Sequence, residues 1–530
     1  MSSINLLEYL KQPSFYGPDV DSVNVIQTHI SFVGLTGKYA YKVKKPVNFG
    51  FLDFSTLEKR KFFCDEELRL NKRLCPDIYL DVIPITKIND TIELDGNGEI
   101  IDYAVKMKEF SQNKIMTSLL KKELISEKII EKIVDILIKF YSSIKQDKEI
   151  DKYGSLISIK QNTDENFEQT KSVVNNTITK ENYEYLESVT EKFFQSREQV
   201  FNNRILDGRI LECHGDLHSG NIVVSDSDIF IFDCIEFNKR FRFCDVASDI
   251  GFLAMDLDYL NNQYLSSFLI DNYVKKSKDK NVLNVLNFYK CYRAYVRGKV
   301  TGFKLSDPNI DKSEKNDIIS TACKYFDLAT YYAKLFSLDT LKDKKSLLFF
   351  VSGLTGTGKS TVARKISVDY HSYLINTDIV RKKMEGIDIF DRRHDKFDTG
   401  LYSPEKMDTI YNKVIDIAEK HLLSGKNVVL DATFTKKKYR DKAFNIGEKN
   451  NAKVLNIHCI CPDNIVKKRL EDRVKKRSIS DGRWEIYKEQ KKKYEPIEIN
   501  DSYIEIDTSN ESYDYKSKIY NNILNKIIEG

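Results

Sequence analysis

The chain has no apolar run long enough to cross a bilayer. The densest, Leu347 to Val351, reads as a buried strand. Met1 to Leu10 offers no basic stretch ahead of an apolar core, so no secretory signal is expected and a cytoplasmic location is. The 9 cysteines are odd in number and scattered, and only Cys459 and Cys461 lie close together. No spacing among them fits a zinc site or a disulfide framework, which leaves buried cytosolic thiols as the reading. No internal repeat and no extended low-complexity tract occurs. What is present, 41% hydrophobic and 31% charged residues in 530, suits about two to four soluble globular domains and argues against disorder.

Charge is spread unevenly. From Val351 onward there are 35 Lys+Arg against 28 Asp+Glu, an excess of +7. The whole chain carries +5, so the first 350 residues stand at −2. The C-terminal part therefore favours an anionic ligand slightly more than the N-terminal part does.

Hydrophobic periodicity divides the chain. Strand-like segments run to about Ile101, including Thr28–Val33 and Tyr39–Val43, and helical patterns follow at Glu127–Tyr141 and Tyr183–Phe201. Gln161–Asn176 is polar and reads as a loop with a short helix. Ile222–Val224 and Ile229–Phe232 read as a strand pair, and helices run from Asp245 to about Leu335. The charged stretch 337–345 is the expected linker. Beyond it strands and helices alternate: Leu347–Gly353, Thr361–Asp369, Lys406–Leu423, Asn427–Asp431, Lys453–Cys459 and Pro462–Arg477. Such alternation predicts a parallel sheet covered by helices on both faces.

Gly353-Leu354-Thr355-Gly356-Thr357-Gly358-Lys359-Ser360 fits G-x-x-x-x-G-K-[ST], between an apolar strand and an amphipathic helix that takes in Thr361. Gly353, Gly356 and Gly358 would let backbone N–H groups converge on phosphate oxygens at a helix N-terminus. Lys359 would reach the β- and γ-phosphates of ATP, and Ser360 would ligate Mg2+. Asp431 ends the strand Val428–Leu430, where P-loop proteins set a carboxylate toward the metal. Asp378 and Arg381 sit three apart at a strand-to-helix start. Asp378 could take the proton of an attacking hydroxyl, and Arg381 could grip an anionic part of the substrate. Arg469, Arg473 and Arg477 recur every four residues on one helix face and could close over the phosphates as a lid. At these residues the segment from about Ser346 to Thr508 resembles P-loop kinases of the zeta-toxin, polynucleotide-kinase and gluconate-kinase neighbourhood. That resemblance implies phosphorylation of a small-molecule or terminal hydroxyl.

In the N-terminal half, His214-Gly215-Asp216-Leu217-His218-Ser219-Gly220-Asn221 has the D-x-x-x-x-N spacing of a kinase catalytic loop. Asp216 would orient and deprotonate the acceptor, while Asn221 and the later Asp233 would hold Mg2+. His214 reads as a brace for this loop. The segment resembles the aminoglycoside phosphotransferase and choline-kinase-like family, with Asp233 opening D-C-I-E; Asp245 and Asp249 resemble that family's structural carboxylates. Upstream, Tyr39–Val43 looks like the strand of the nucleotide-binding lysine. Lys42 is preferred for that role, with Lys44 on the same face as the alternative. Glu67 is preferred over Glu66 as the partner carboxylate. Phe32–Lys38 holds two glycines in the place expected of a phosphate-covering loop. The stripe Lys290, Arg293, Arg297 and Lys304 reads as a solvated face.

The expected architecture is thus a bilobal protein-kinase-like domain over 1–336, with an N-lobe of about 1–110 and a C-lobe of about 111–336. A P-loop NTPase domain with a three-layer parallel sheet follows over 346–530. The pair resembles bacterial fusions of an aminoglycoside-phosphotransferase-like domain with a P-loop ATPase. The leading expectation is a bifunctional ATP-dependent phosphotransferase acting on small-molecule hydroxyl acceptors, with ATP and Mg2+ as cofactors and no membrane partner. Two alternatives stand beside it. One is a regulatory protein in which one domain senses nucleotide; the other is a C-terminal polynucleotide 5′-hydroxyl kinase, for which Lys436-Lys437-Lys438-Tyr439-Arg440 is a short basic and aromatic signal.

Overall fold

The computed structural model describes residues 6–89, 91–225, 228–307, 310–340, 345–387, 403–474, 482–497, 502–510 and 512–529. The chain divides into two compact units. The first comprises Met1–Glu165, Glu198–Leu260 and Asn272–Tyr289; the second comprises Asn166–Arg197, Asn261–Asp271 and Lys290–Gly530. Helical residues ahead of the expected linker therefore group with the second unit, and residues 341–344 of that linker lie outside the described residues.

The first unit opens with six strands: β1 (Asn24–Gln27), β2 (Ser31–Leu35), β3 (Tyr39–Lys44), β4 (Tyr79–Ile88), β5 (Thr91–Leu94) and β6 (Glu99–Lys108). They form one antiparallel sheet in the order β1-β2-β3-β6-β4-β5. The period-2 alternation of a strand sorts β3 onto two faces. Tyr41 and Val43 pack with Leu10, Phe15, Ile85, Ile92 and Ala104. Ala40 packs on the other face with Val105, Met107 and Cys64. Lys42 and Lys44 share that second face by alternation, beneath the helix Leu57–Asn71. The helix starts at Thr56, whose side chain accepts from the Lys59 amide, and buried Arg60 ties it to Asp102 at 2.8 Å.

Farther on, β7 (Ile210–Glu212) lies before the hairpin of β8 (Ile222–Val224) and β9 (Ile229–Ile231), and β10 (Phe243–Asp245) pairs back onto β7. Asp245 caps the helix Val246–Tyr259 by accepting from the Ala247 amide. Arg204, 1% exposed, donates to both Asp245 oxygens at 2.7 and 2.8 Å, so this cap is held by a buried ion pair.

In the second unit β11 (Leu347–Ser352), β12 (Tyr373–Asn376), β13 (Val428–Asp431), β14 (Lys453–Ile460) and β15 (Tyr503–Asp507) make a wholly parallel sheet ordered β12-β13-β11-β14-β15. Every residue of β11 is buried, as a central parallel strand requires. Leu348, Phe350, Val428 and Leu430 meet the helices Pro404–Leu423 and Lys437–Lys449 through Ile410, Tyr411, Val414 and Ala443. The helix Lys359–Asp369 buries Val362, Ala363 and Ile366, and Phe349 meets Tyr370, just past its end, at 5.0 Å between ring centroids. The expected three-layer parallel-sheet fold is present.

Two expectations are corrected. Gln161–Asn176 is mostly helix, Leu156–Thr170 with a further 3-10 turn at Lys171–Val173. Polarity misled because Thr163, Asn166 and Thr170 lie on the buried face with Ile159 and Phe167, and the two threonine hydroxyls donate to carbonyls one turn back. The basic stripe is solvated only at its far end: Lys290 and Arg293 are 1% and 6% exposed, with Lys290 4.4 Å from the centre of the Tyr332 ring, while Arg297 is half-buried and Lys304 exposed. The nine cysteines are free and mostly buried, and among the described residues no helix is long and apolar enough to cross a membrane.

Gly34 faces Tyr41 across the β2–β3 pairing, and a Cβ built on it would lie 2.0 Å from the Tyr16 hydroxyl oxygen. Tyr16 is fixed there by donating to the Leu10 carbonyl at 2.7 Å. Gly34→Ala should therefore cost about 1–3 kcal/mol in overpacking. Adding Tyr16→Ala should make the two losses clearly less than additive in a urea double-mutant cycle.

Candidate active sites

Burial organises the first site. Glu67 is fully buried, and its two carboxylate oxygens meet different lysines: Oε1 forms an ion pair with Lys42 at 2.8 Å, and Oε2 accepts from Lys44 at 2.6 Å. Lys42 also donates to Asp233 Oδ1 at 2.7 Å. Lys44 also pairs with Glu236. Burial pushes the Glu67 carboxyl up, but the attraction of Lys42 and Lys44 outweighs it and holds the group below the ordinary carboxylate range. For Lys42 burial works downward, and Asp233 and Glu67 more than reverse it. The structure thus brings Lys42, Glu67 and Asp233 into direct contact. Glu66 faces another way, bridging Arg69 and Arg242.

Asp216 and Asn221 meet across one turn: Asn221 Nδ2 donates to the Asp216 carbonyl at 3.0 Å and to Oδ2 at 3.1 Å. This leaves the Asn221 Oδ1 oxygen to face elsewhere. His218 caps the turn, its Nδ1 accepting from the Gly220 amide, and its Nε2 lies 3.4 Å from Asp216 Oδ2. The His214 ring spans two segments. Its Nδ1 accepts from the Asp216 amide at 3.2 Å, so its Nε2 carries the proton toward the Phe232 carbonyl at 2.9 Å. Burial keeps this ring's pKa low, which suits the bracing role over proton transfer. Asp249 accepts from the His214 and Gly215 amides at 2.8 and 2.9 Å, holding the loop from below. Asp233 has φ +64°, a left-handed backbone that costs a non-glycine residue energy and recurs at functional sites.

Phe32–Lys38 departs from the sequence expectation. Gly34 lies within β2, its missing side chain making room for Tyr16. Gly37 occupies the β2–β3 turn, and its amide already donates to Glu109 at 2.7 Å.

In the second unit the loop after β11 turns through Gly353 at φ +134°, Gly356 at +82° and Gly358 at +85°. Gly353 is obligatory twice over, because a Cβ there would also lie 2.4 Å from the Cys459 carbonyl oxygen. The Thr355 amide is held by buried Gln490 at 2.9 Å. Lys359 donates to the Leu354 carbonyl of its own loop at 2.7 Å. Ser360 and Thr361 open to solvent at the start of the helix. Asp431 is buried, and burial raises its pKa against the pull of Lys359 and hydrogen bonds from Ser360 and Asn376, the latter at 2.6 Å. Burial likewise lowers the Lys359 pKa, with Asp431 opposing.

Asn376 also caps the helix Thr377–Met384, accepting from the Asp378 and Ile379 amides at 2.9 and 3.1 Å. Asp378 acts electrostatically on both Lys359 and Asp431, so the three share one locale. Arg381, 3% exposed, is turned onto Asp378 at 3.1 Å. Arg473 repels Lys359 and therefore lies near the loop. Arg469 is spent on Thr508, at 2.9 and 2.7 Å, and Arg477 lies outside the described residues.

Both sites suit a hard cation. Mg2+ is ordinarily held by one or two carboxylates with phosphate and water, and needs no all-protein cage. Among the described residues no group of three or more His, Cys, Asp or Glu is placed to hold a metal ion, while oxygen donors stand together at Ser360 and Asp431, and the Phe232 amide next to Asp233 donates to the Asn221 carbonyl at 3.0 Å.

The AAA domain family model matches residues 348–497. That span holds the second site. An uncharacterized protein of Mycobacterium tuberculosis is 27% identical over 452 residues, covering 85% of this chain and 86% of the relative, and a Mycobacterium bovis protein matches equally. Among solved structures, a choline kinase from Cryptosporidium parvum is similar over 63% of this chain and 96% of its own, at 12% identity and TM-score 0.39. A gluconokinase from Sinorhizobium meliloti is similar over 34% and 92%, at 17% identity and TM-score 0.25.

The residues that sequence reading passed over are Glu236, which pairs with Lys44, the alternative to Lys42, together with Asn376, Gln490 and His458. His458 on β14 has its Nδ1 within hydrogen-bond distance of the Ser352 and Tyr494 hydroxyls, at 3.1 and 3.3 Å, and burial pulls its pKa down to about 4. A histidine depressed in the fold adds stability above its ordinary pKa, about 6.5, and loses it as pH falls toward 4. Between pH 7 and 4.5, urea unfolding should show the wild type losing about 1–3 kcal/mol more than His458→Gln. Equal losses would show that the ring does not resist protonation.

Proposed function

We propose that the chain is an ATP-dependent kinase with two phosphoryl-transfer sites, one in each unit, acting on hydroxyl groups of small molecules. The contact of Lys42 with both Glu67 and Asp233 carries this reading for the first unit, because a kinase needs its phosphate-binding lysine, the carboxylate that aims it and a metal-binding Asp in one place. There Lys42 would bind the α- and β-phosphates, Asp216 would orient the acceptor and take its proton, and Asn221 and Asp233 would hold Mg2+. In the second unit the loop amides from Gly353 to Lys359 would bind the phosphates, with Ser360 and Asp431 toward Mg2+. Asp378 would serve as base, and Arg473 would offset charge on the transferring group. Bound Mg2+ would neutralise phosphate charge at each site.

Asp378 stays poised for proton transfer because Arg381 holds one of its oxygens and fixes its aim. Arg381 would meet an anionic substrate only by sharing that contact. The folding units proposed for these activities are 1–336 and 346–530, joined through 337–345.

The test uses the full chain, labelled ATP, and a panel of sugars, aminoglycosides, nucleosides and oligonucleotides. Asp216→Asn should silence one set of acceptors and Lys359→Ala another. Asp378→Asn should lower transfer at the second site by about 10²–10⁴ while leaving ATP affinity within severalfold. Loss of all activity from either single variant, or a tenfold change in ATP affinity at the unaltered site, would instead favour a regulatory nucleotide sensor.

A further inference from the structure

The Lys42–Glu67 pair is only half of a larger arrangement. Asp233, Lys42, Glu67, Lys44 and Glu236 form a chain of alternating charge, with separations of 2.7, 2.8 and 2.6 Å along its first three links and direct contact at the fourth. The two ends lie three residues apart on one segment, so the chain closes into a ring through Cys234 and Ile235. The lysines are two apart on β3 and therefore share a face.

The ring has an open side and a sealed side. Asp233 is 42% exposed and Lys42 15%, whereas Lys44, Glu67 and Glu236 are 1%, 0% and 5% exposed. Phe54 covers the sealed side, its ring centre 4.8 Å from Lys44 Nζ. A ligand phosphate arriving at Lys42 would compete with Asp233, which holds its ammonium at 2.7 Å. Glu67 would then sit fully buried with one lysine drawn toward the ligand, which is costly unless its charge remains matched. Lys44 supplies that match at the second carboxylate oxygen, and Glu236 balances Lys44 in turn.

We propose that Lys44 and Glu236 are positioning residues that fix the Glu67 carboxylate so that Lys42 stays aimed at nucleotide phosphate after it releases Asp233. This rests on reading the first unit as a nucleotide site. The pair touches no ligand. It acts through Glu67, and through the short 233–236 segment it also sets where Asp233 moves on release. The backbone of that segment is separately held, the Cys234 amide by Asn71 at 2.9 Å and the Ile235 amide by the His214 carbonyl at 3.1 Å. Removing the pair should therefore disturb aim more than fold.

The experiment compares affinities for ATP and for adenosine, since Lys42 serves the phosphates and not the nucleoside. It uses the full chain carrying Lys359→Ala to silence the second site, in buffer with Mg2+, by calorimetric titration. Lys44→Met with Glu236→Met removes both charges and leaves neither orphaned; Glu236→Gln is the milder variant. The expected result is a fall of about tenfold or more in the ATP-to-adenosine affinity ratio, with adenosine affinity within about threefold of the parent. An unchanged ratio in the folded double variant overturns the positioning role. So does failure of the double variant to fold together with an unchanged ratio in Glu236→Gln, which marks the pair as structural. Lys42→Met is the control: if the parent prefers ATP no more than this variant does, the nucleotide reading of the site falls, and the positioning role with it.

Discussion

A carboxylate with no surface in water must be met by positive charge or give up its own, and Glu67 is such a carboxylate. Much of the first unit follows from that requirement. Two lysines must approach from one side, which a strand supplies by alternation, and the helix bearing Glu67 must lie flat on that face. The helix is secured by Thr56 at its start and by Arg60 on Asp102 of β6, so the carboxylate cannot drift from the strand. The remaining positive charge draws in Asp233 and Glu236 from a distant part of the chain. A single buried charge thereby ties the sheet to the segment bearing Asp233 and Glu236.

The second unit meets the same constraint by other means. Asp431 is buried at the end of β13, and its charge is shared among a lysine, a hydroxyl and an amide. Asn376 does two tasks with one side chain, donating to Asp431 through Nδ2 and capping the helix of Asp378 through Oδ1. Strand, carboxylate and helix start are consequently locked in one geometry. The loop from Gly353 is set by close packing: no side chain fits between it and β14, and Gln490 holds one of its amides. Lys359, partly desolvated and resting on its own loop carbonyl, is readily drawn to a phosphate that replaces that contact.

What the sequence disclosed and what it hid follow from the range of the interactions. The P-loop, the D-x-x-x-x-N loop and the alternating elements of the second half are local patterns, and each was legible because its physics is confined to a few residues. Lys42 and Glu67 were legible through resemblance to known kinase strands. The Lys44–Glu236 contact spans 192 residues, and nothing in D-C-I-E marks its glutamate as a partner for a lysine on β3. Gly34 illustrates a subtler failure. A glycine between strands suggested a ligand loop, while its cause was the Tyr16 ring on the outer face. The polar helix at Leu156–Thr170 was hidden for the converse reason, since its threonines satisfy themselves on their own backbone and so can be buried.

On the proposed reading, the two units would bind the same kind of charge by two routes. In the second, phosphate would be met chiefly by backbone amides, which carry partial charges, cannot be neutralised and need no counter-ion when the site is empty. In the first, it would be met by a lysine whose full charge must be balanced at all times. On the proposed reading, that difference accounts for the two carboxylates paired directly with Lys42, whereas Lys359 rests on a carbonyl of its own loop with Asp431 and Asp378 acting on it from nearby. An empty lysine site requires an internal stand-in for phosphate, and Asp233, exposed and held in a strained left-handed backbone, has the properties of one. On the proposed reading its release toward Mg2+ follows directly from the arrival of the nucleotide: the phosphate that takes Lys42 frees the carboxylate that the accompanying metal requires.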